Sequence, residues 1–383
     1  MTRRWAALAI FALALVLQTC APAHHLPSLP APAPREQIDV SLFLIGDAGA
    51  AAAPPKAEPV LAALQAAVAQ APSPLIVFLG DNIYPRGMPD SSAPERSEAV
   101  RRLDAQLSVA RATGTHAIFV PGNHDWDRFG PDGWAAVQRS AAVIAASPGG
   151  LATQLPDGGC PGPAVVDVGA TVRLIALDTQ WWLQHGAKPV HPTSTCRADA
   201  PGEVIDSLQA AALNASGRVV IVLGHHPLRT GGPHGGHFGW SDHLFPLREL
   251  NSWLWIPLPI IGSAYPIARA SGISSQDVSS KAYGTLIDGL DSAFSRTRPL
   301  VYAAGHEHGL QVIRGGGASY LLASGGGIYG HASHIVWLDS TLYARGASGF
   351  MRLEVLRDRR ARLAVTVVDR EGHGTEAFGL WLQ

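Results

Sequence analysis

A small set of metal-binding and proton-moving side chains recurs in this sequence in one setting. "LFLIGDAG" delivers Asp47, and "LIVFLGDNIY" delivers Asp81, Asn82 and Tyr84. "AIFVPGNHDW" delivers Asn123, His124 and Asp125, "VVIVLGHH" delivers His225 and His226, and "LVYAAGHEH" delivers His306 and His308. Each time an apolar run reaches a Gly and then presents a carboxylate, amide, phenol or imidazole. A lone histidine in such a place reads as a hydrogen-bonded residue beside the core; five such stretches together do not. Oxygen donors mixed with imidazole suit Fe, Mn or Zn. Seven plausible donors are too many for one ion, so two ions sharing a carboxylate is the economical solution. Paired ions about 3.5–4 Å apart are a device for hydrolysing phosphoesters. No Walker-type Gly-rich phosphate loop is present, so use of nucleoside triphosphates has no support.

The elements that must position these groups follow from the same stretches. Short apolar runs bounded by Gly read as buried strands with helices over both faces of their sheet. In open α/β sheets, ligands bind beyond the carboxyl ends of the strands. Segments 54–70, 93–112, 131–146 and 201–215 have helical composition or spacing between the runs. "VRLIALDTQ" ends in Asp178 without a Gly turn and reads as a structural strand. The C-terminal part, from "FMRLEVLRD" on, alternates apolar and polar residues, the pattern of an antiparallel meander half-exposed to water.

The chain of 383 residues is 47% hydrophobic and 15% charged, with a net charge of -1. Length alone would allow two domains, but the donors run from 47 to 308, so one fold must span them. With 26 Arg and 3 Lys scattered and no basic patch, nucleic acid is disfavoured as a partner. "MTRR" followed by the apolar run "WAALAIFALALVLQ" is too short for an ordinary membrane span and fits a secretory signal. "LQTC" resembles the lipobox before a lipidated cysteine, which predicts removal of residues 1–19 and a lipid anchor on Cys20. Cleavage after "APA" (21–23) would instead give a soluble secreted chain. The first alternative makes the protein a periplasmic or cell-envelope lipoprotein. Residues 20–36 are rich in Pro and Ala and read as a stiff tether. Cys160 and Cys196 remain, and in an oxidising compartment an even remainder suggests one disulfide; two separate thiols are the other possibility.

One stretch resists the scheme. Residues 250–272 form a strongly apolar insertion broken by Pro257, Pro259 and Pro266. An irregular cap near the site is favoured over contact with lipid, because long loops are often lids.

In order, the five blocks resemble the motifs of the calcineurin-like metallophosphoesterases, and they are most similar to the purple acid phosphatase branch of the small tartrate-resistant type. Gly49 stands where the general superfamily has His, and Tyr84 stands three residues after the second Asp, as in the purple branch. The resemblance implies a four-layer α/β/β/α sandwich of two mixed sheets, closing with the antiparallel meander, over residues 37–383. It implies that Asp47, Asp81, Tyr84 and His308 hold Fe(III), and that Asp81 bridges to a divalent Fe, Zn or Mn held by Asn123, His225 and His306. A metal-bound hydroxide would then attack phosphorus while His124 protonates the leaving oxygen or steadies the phosphoryl charge. Asp125 would orient His124 or else cap its loop, His234 would contact substrate, and His226 would contact it as well or support the site from behind. The expected function is an exported phosphomonoesterase. A phosphodiesterase is the first rival, and a non-catalytic binding lipoprotein on the same fold is the second.

Overall fold

The computed structural model describes residues 26–53, 57–249 and 253–382. The signal segment, Cys20 and the first part of the tether lie outside the described residues. Strands β1 (Ile38–Ile45), β2 (Pro74–Leu79), β3 (Ala117–Val120), β4 (Ala152–Gln154), β5 (Ala164–Val168), β6 (Val172–Ala176) and β7 (Val219–Leu223) come first along the chain. They are followed by β8 (Val301–Ala304), β9 (Leu310–Arg314), β10 (Tyr320–Ser324), β11 (Thr341–Arg345), β12 (Gly349–Leu356), β13 (Ala361–Val368) and β14 (Gly374–Leu382). One sheet runs β14-β13-β12-β1-β2-β3-β4 and the other β11-β9-β10-β8-β7-β6-β5. Both are mixed: β1, β2, β3 and β4 are mutually parallel neighbours, whereas β12, β13 and β14 pair antiparallel. In the second sheet β6, β7, β8 and β10 are parallel.

The layers follow from the period of two along each strand. Leu42 and Leu44 of β1 pack between the sheets with Leu174, Ile221 and Val301. Their neighbours Phe43 and Ile45 face the other way, onto helices Pro59–Gln70 and Arg96–Thr113 through Val60, Leu64, Leu103 and Leu107. The second sheet is covered by helices Pro201–Leu213 and Lys281–Thr297 through Leu208, Leu286, Leu290 and Phe294. The result is the expected α/β/β/α sandwich of two mixed sheets.

Three expectations need correction. The closing meander is less exposed than its alternation suggests. β12 is buried along almost its whole length, because it lies inside the sheet against β1 and Phe350 packs under the first helical layer. The tether does not run free to residue 36: Arg362 donates to the carbonyls of Pro30 and Ala31 at 3.3 and 3.1 Å, and Ala33 packs with Ile38 and Leu356. The apolar insertion is not a packed cap along its length, since Trp253 is 87% and Ile260 91% exposed. Helix Lys281–Thr297 was not anticipated; Gly284, Gly289 and the acidic pair Asp288 and Asp291 obscure its apolar face. Cys160 and Cys196 form a disulfide with Cα atoms 5.6 Å apart.

Candidate metal centre

The carboxyl ends of β1, β2, β3, β7 and β8 meet at one edge of the two sheets. The turns that leave them are unusually tight. Asp47, Asp81 and His306 all adopt positive φ, at 61°, 55° and 66°. That region costs most residues energy and is retained where surroundings over-determine it, often at functional sites. Glycines make the convergence possible: a Cβ on Gly80 would lie 2.3 Å from His225 Nδ1, and one on Gly122 would lie 2.4 Å from Asp81 Oδ1.

Two groups of donors result, joined through Asp81. In the first, the Tyr84 hydroxyl is 3.1 Å from Asp47 Oδ1, 3.2 Å from Asp81 Oδ2 and 3.2 Å from His308 Nε2. His308 Nε2 is itself 3.5 Å from Asp47 Oδ1. In the second, Asn123 Oδ1 lies 3.0 Å from both His225 Nε2 and His306 Nδ1, and Asp81 Oδ1 is 3.4 Å from His225 Nε2. Each oxygen of Asp81 therefore faces a different group.

The proton inventory shows that these groups fit cations. His225 Nδ1 sits 2.8 Å from the Leu79 carbonyl, and His306 Nε2 sits 3.1 Å from the Gln276 carbonyl. Those nitrogens must donate, so in the neutral rings His225 Nε2 and His306 Nδ1 carry lone pairs. Both lone pairs point at Asn123 Oδ1, another acceptor, an arrangement that calls for a positive charge between them. The Tyr84 hydroxyl has one proton for the carboxylates of both Asp47 and Asp81, which is the same excess. Donors held about 2.0–2.2 Å from an ion stand roughly 3.0–3.5 Å apart, and the observed spacings lie in that range. With no cation counted, burial opposes protonation of His225, but Asp81 and Asp47 outweigh it and push its pKa up to about 9. Burial, Asp47 and Asp81 raise Tyr84 well above the ordinary phenol value, so only a strongly charged ion would ionise it there.

Gly49 leaves no room for a side chain beside the first donor group. A Cβ at that position would stand 2.4 Å from the Asn82 carbonyl carbon and 2.5 Å from Asp81 O and Ile83 N. No histidine fits, because the turn carrying Asp81 lies directly on the residue, with Gly49 donating to Asp81 O and accepting from Tyr84 N. The same close approach brings Tyr84 over the first donor group.

The remaining candidates divide. His124 reaches the site: its Nδ1 is 2.7 Å from the Pro85 carbonyl, its ring centroid is 4.3 Å from that of Tyr84, and its Nε2 is 3.9 Å from Asp81 Oδ2. Burial holds its pKa below the ordinary imidazole value. Asp125 does not touch the His124 ring. Its carboxylate accepts from the backbone of Gly122, Asn82 and Ile83 and from Asn82 Nδ2, at 2.8–3.1 Å. It ties the β2 and β3 turns together, which is the loop-capping alternative. His226 is not a substrate contact either. It is fully buried, with Nδ1 on Thr179 Oγ1 at 2.7 Å and Nε2 on Gln276 Oε1 at 2.8 Å. His225, His226 and His306 lie close enough together to suggest a metal trio. However, Thr179 Oγ1 accepts from the amides of His225 and His226, so its own proton goes to His226 Nδ1 and no lone pair is left. Asp178 accepts from Trp126 Nε1 and caps helix Thr179–Leu183, a structural place as expected.

His234 stacks on His306 with ring centroids 3.9 Å apart. Its Nδ1 is held by Asp277 at 3.2 Å, and Arg269 pairs with the same carboxylate at 2.5 Å. Glu307, buried between the two motif histidines, accepts from Thr230 Oγ1 and the His234 amide and so fixes that turn. On the opposite flank, His331 lies 4.3 Å from His308 between ring centroids. Arg269, Gln276, Asp277, Glu307 and His331 escaped sequence reasoning, and only Glu307, inside "GHEH", carried a positional signal.

The model of the calcineurin-like phosphoesterases matches residues 41–255, which takes in four of the five strand ends and stops before His306 and His308. No curated protein matches the chain. Among solved structures, one similar to it is "GAP50 the anchor in the inner membrane complex of Plasmodium", at 14% identity and TM-score 0.53 over 90% of this chain and 89% of the other. A purple acid phosphatase, PPD1 from yellow lupin (Lupinus luteus) seeds, aligns at 12% identity and TM-score 0.56 over 92% of this chain and 55% of its own length. PhoD aligns at 12% identity and TM-score 0.50, over 91% and 69%. At these identities the likeness is one of fold.

Proposed function

The chain belongs to the calcineurin-like phosphoesterase family, a family of metal-dependent hydrolases of phosphate esters, and from that premise we propose a purple-acid-phosphatase-like phosphomonoesterase. The observation that carries the reading is the Tyr84 hydroxyl at 3.1–3.2 Å from Asp47, Asp81 and His308 beside a Gly49 that excludes histidine. In this reading Asp47, Asp81, Tyr84 and His308 hold Fe(III), and Asp81, Asn123, His225 and His306 hold a divalent Fe, Zn or Mn. Bound there, two ions would supply Lewis acidity toward the phosphoryl oxygens and a water of lowered pKa.

The chain's own residues do the rest. Asp81 fixes the spacing of the two donor groups by offering one oxygen to each. The Pro85 carbonyl takes the Nδ1 proton of His124, which leaves Nε2 to hold and deliver a proton at the leaving oxygen. Asp277 and the Gln276 carbonyl hold His234 through Nδ1, which leaves Nε2 to donate to a phosphoryl oxygen when it carries a proton. The turn-clamping Asp125 keeps Asn123 and Asp81 in register and takes no part in proton transfer.

Likeness to an anchoring protein raises the non-catalytic reading. Against it stand both complete donor sets and an unobstructed His124, none of which a purely binding protein requires. Export is part of the proposal, with removal of residues 1–19, lipid on Cys20 and a periplasmic or cell-envelope location. The basic and apolar amino terminus and the Cys160–Cys196 disulfide support it. Intact mass of the native protein tests this half, and a mature terminus at His24 would refute the lipid anchor. Assays of metal-replete protein on an aryl phosphate and a diaryl phosphate test the other. Hydrolysis of the monoester in clear excess is expected. Preference for the diester, or no turnover with both ions bound, would contradict it.

A further inference from the structure

Beyond the metal centre, the strongest departure from an ordinary surface is the loop at 253–263. Eight of the fourteen exposed large hydrophobic side chains among the described residues lie between 240 and 273. The most exposed are Ile260 (91%), Trp253 (87%), Ile273 (77%) and Ile261 (75%), and Trp255 and Ile256 on the same loop are exposed at 57% and 49%. Between Glu249 and Arg269 no residue is charged. A contiguous apolar patch of this kind marks a contact surface.

The backbone identifies what the surface contacts. Ile261 N donates to Pro259 O at 2.9 Å around Ile260, whose φ and ψ are 70° and -59°. That is a γ-turn of the rare strained kind, and it holds a β-branched residue at positive φ at the very tip. Of residues 255–262, the amides of Trp255, Leu258, Ile261 and Gly262 are hydrogen-bonded within the insertion or to Leu244, and positions 257 and 259 are prolines with no amide proton. A tip with few free donors is not needed against water or a protein partner. It is needed in a hydrocarbon-like medium, where each unsatisfied amide is costly. Trp and Ile in irregular backbone, without charge, suit the boundary between headgroups and acyl chains. At its base Arg248 lies over the Trp255 ring at 3.9 Å, a cation placed at headgroup depth to meet phosphate.

We propose that loop 253–263 is a wedge that seats the domain on a phospholipid surface, with the rim of the metal centre turned toward that surface. The connection to the centre is short. Helix Ala264–Ala270 follows the wedge directly. Its Arg269 pairs with Asp277 at 2.5 Å, Asp277 holds His234 Nδ1 at 3.2 Å, and the His234 ring lies against His306. The docking itself is independent of the enzymatic reading. Its consequence, that phosphoesters presented at a lipid surface are the favoured substrate class, rests on that reading.

The test uses the full chain with phosphatidylcholine–phosphatidylglycerol vesicles in which the acyl chains are brominated. Bromine quenches indoles that enter the bilayer, so the readout is local and holds whatever the amino terminus does. The parent is expected to lose part of its Trp fluorescence relative to unbrominated vesicles, and Trp253→Phe/Trp255→Phe to lose that quenchable part. Ile260→Ser/Ile261→Ser should weaken the quenching of Trp253 and Trp255 roughly tenfold or more in lipid concentration, the scale for withdrawing two aliphatic side chains. It should hydrolyse a soluble aryl phosphate as the parent does, which shows that it is folded, yet lose activity on phosphatidic acid in vesicles. Equal quenching in parent and Trp253→Phe/Trp255→Phe would overturn the wedge. So would a dimer in sedimentation through this face that persists with vesicles while quenching is absent. If neither substrate is hydrolysed but the quenching pattern holds, the enzymatic reading fails and the wedge stands.

Discussion

The metal centre and the loop at 253–263 break the usual partition of side chains in opposite senses. At the centre, Asp47, Asp81, Asn123, His225 and His306 are buried, where polar groups cost free energy unless partnered. On the loop, Trp253 and Ile260 stand in solvent. The two regions share strain: Asp47, Asp81 and His306 hold positive φ at the centre, and Ile260 does so at the loop tip. At the centre the surroundings enforce the strain, because strand ends, glycines and Asp125 leave the turns no other path. On the loop little packs against the strained residue. The difference teaches that the centre is prepared for a charge that completes it, and the loop for a surface that covers it.

Substitution should break the centre first. Asp81→Ala removes the one side chain common to both donor groups. Turnover should vanish and bound metal should fall at both positions, which elemental analysis beside the assay reads. Full metal content in that variant would remove the bridge from the account. His124→Ala should keep both ions and slow turnover by roughly 10²–10⁴-fold, the range for loss of a positioned acid–base group. Undiminished activity on an ester with a poor leaving group would end that assignment.

Smaller effects sharpen the comparison. Gly49→Ala forces a methyl against three backbone atoms of the 81–83 turn, and overpacking of that kind costs about 1–3 kcal/mol. The denaturation midpoint of the metal-free protein should fall accordingly. A variant as stable as its parent would mean that the turn has slack, and that the missing histidine has no steric cause. At the loop the sign should reverse. Ile260→Gly relieves positive φ, worth about 1–2 kcal/mol, and loses about 0.5–1 kcal/mol to glycine's freedom when unfolded. A midpoint unchanged or slightly higher is expected, and a marked fall would show that the tip is packed rather than displayed.

How much of this was legible in the sequence differs between the regions for physical reasons. The centre is built on strand ends, and an apolar run followed by Gly and a donor marks a strand end in the chain itself. All seven proposed donors lie at strand ends marked in that way or follow from the Tyr84 pattern, whereas the order of the strands in the two sheets was not legible. Asp125 was harder. Its neighbour in sequence is His124, but its partners in space are Gly122 and the 82–83 turn, and only folding brings β2 and β3 together. Asp277, Gln276 and Arg269 come from irregular backbone between the wedge and helix Lys281–Thr297, where no period assigns a face. The insertion's apolarity was plain, and its exposure was not, since hydrophobic residues without periodicity do not reveal whether protein or something else covers them.

The central claim is that Tyr84 and both aspartates share one strongly charged ion in place of a histidine at position 49, and a visible spectrum tests it most directly. A phenolate on Fe(III) gives a ligand-to-metal charge-transfer band. Iron-loaded protein should be violet or pink, and Tyr84→Phe should lose or strongly shift the band while its far-ultraviolet circular dichroism is unchanged. Colourless protein that is active with iron bound, or a Tyr84→Phe variant with the parent's spectrum, would contradict the claim and leave Tyr84 as a hydrogen-bonded phenol beside a centre of Mn or Zn.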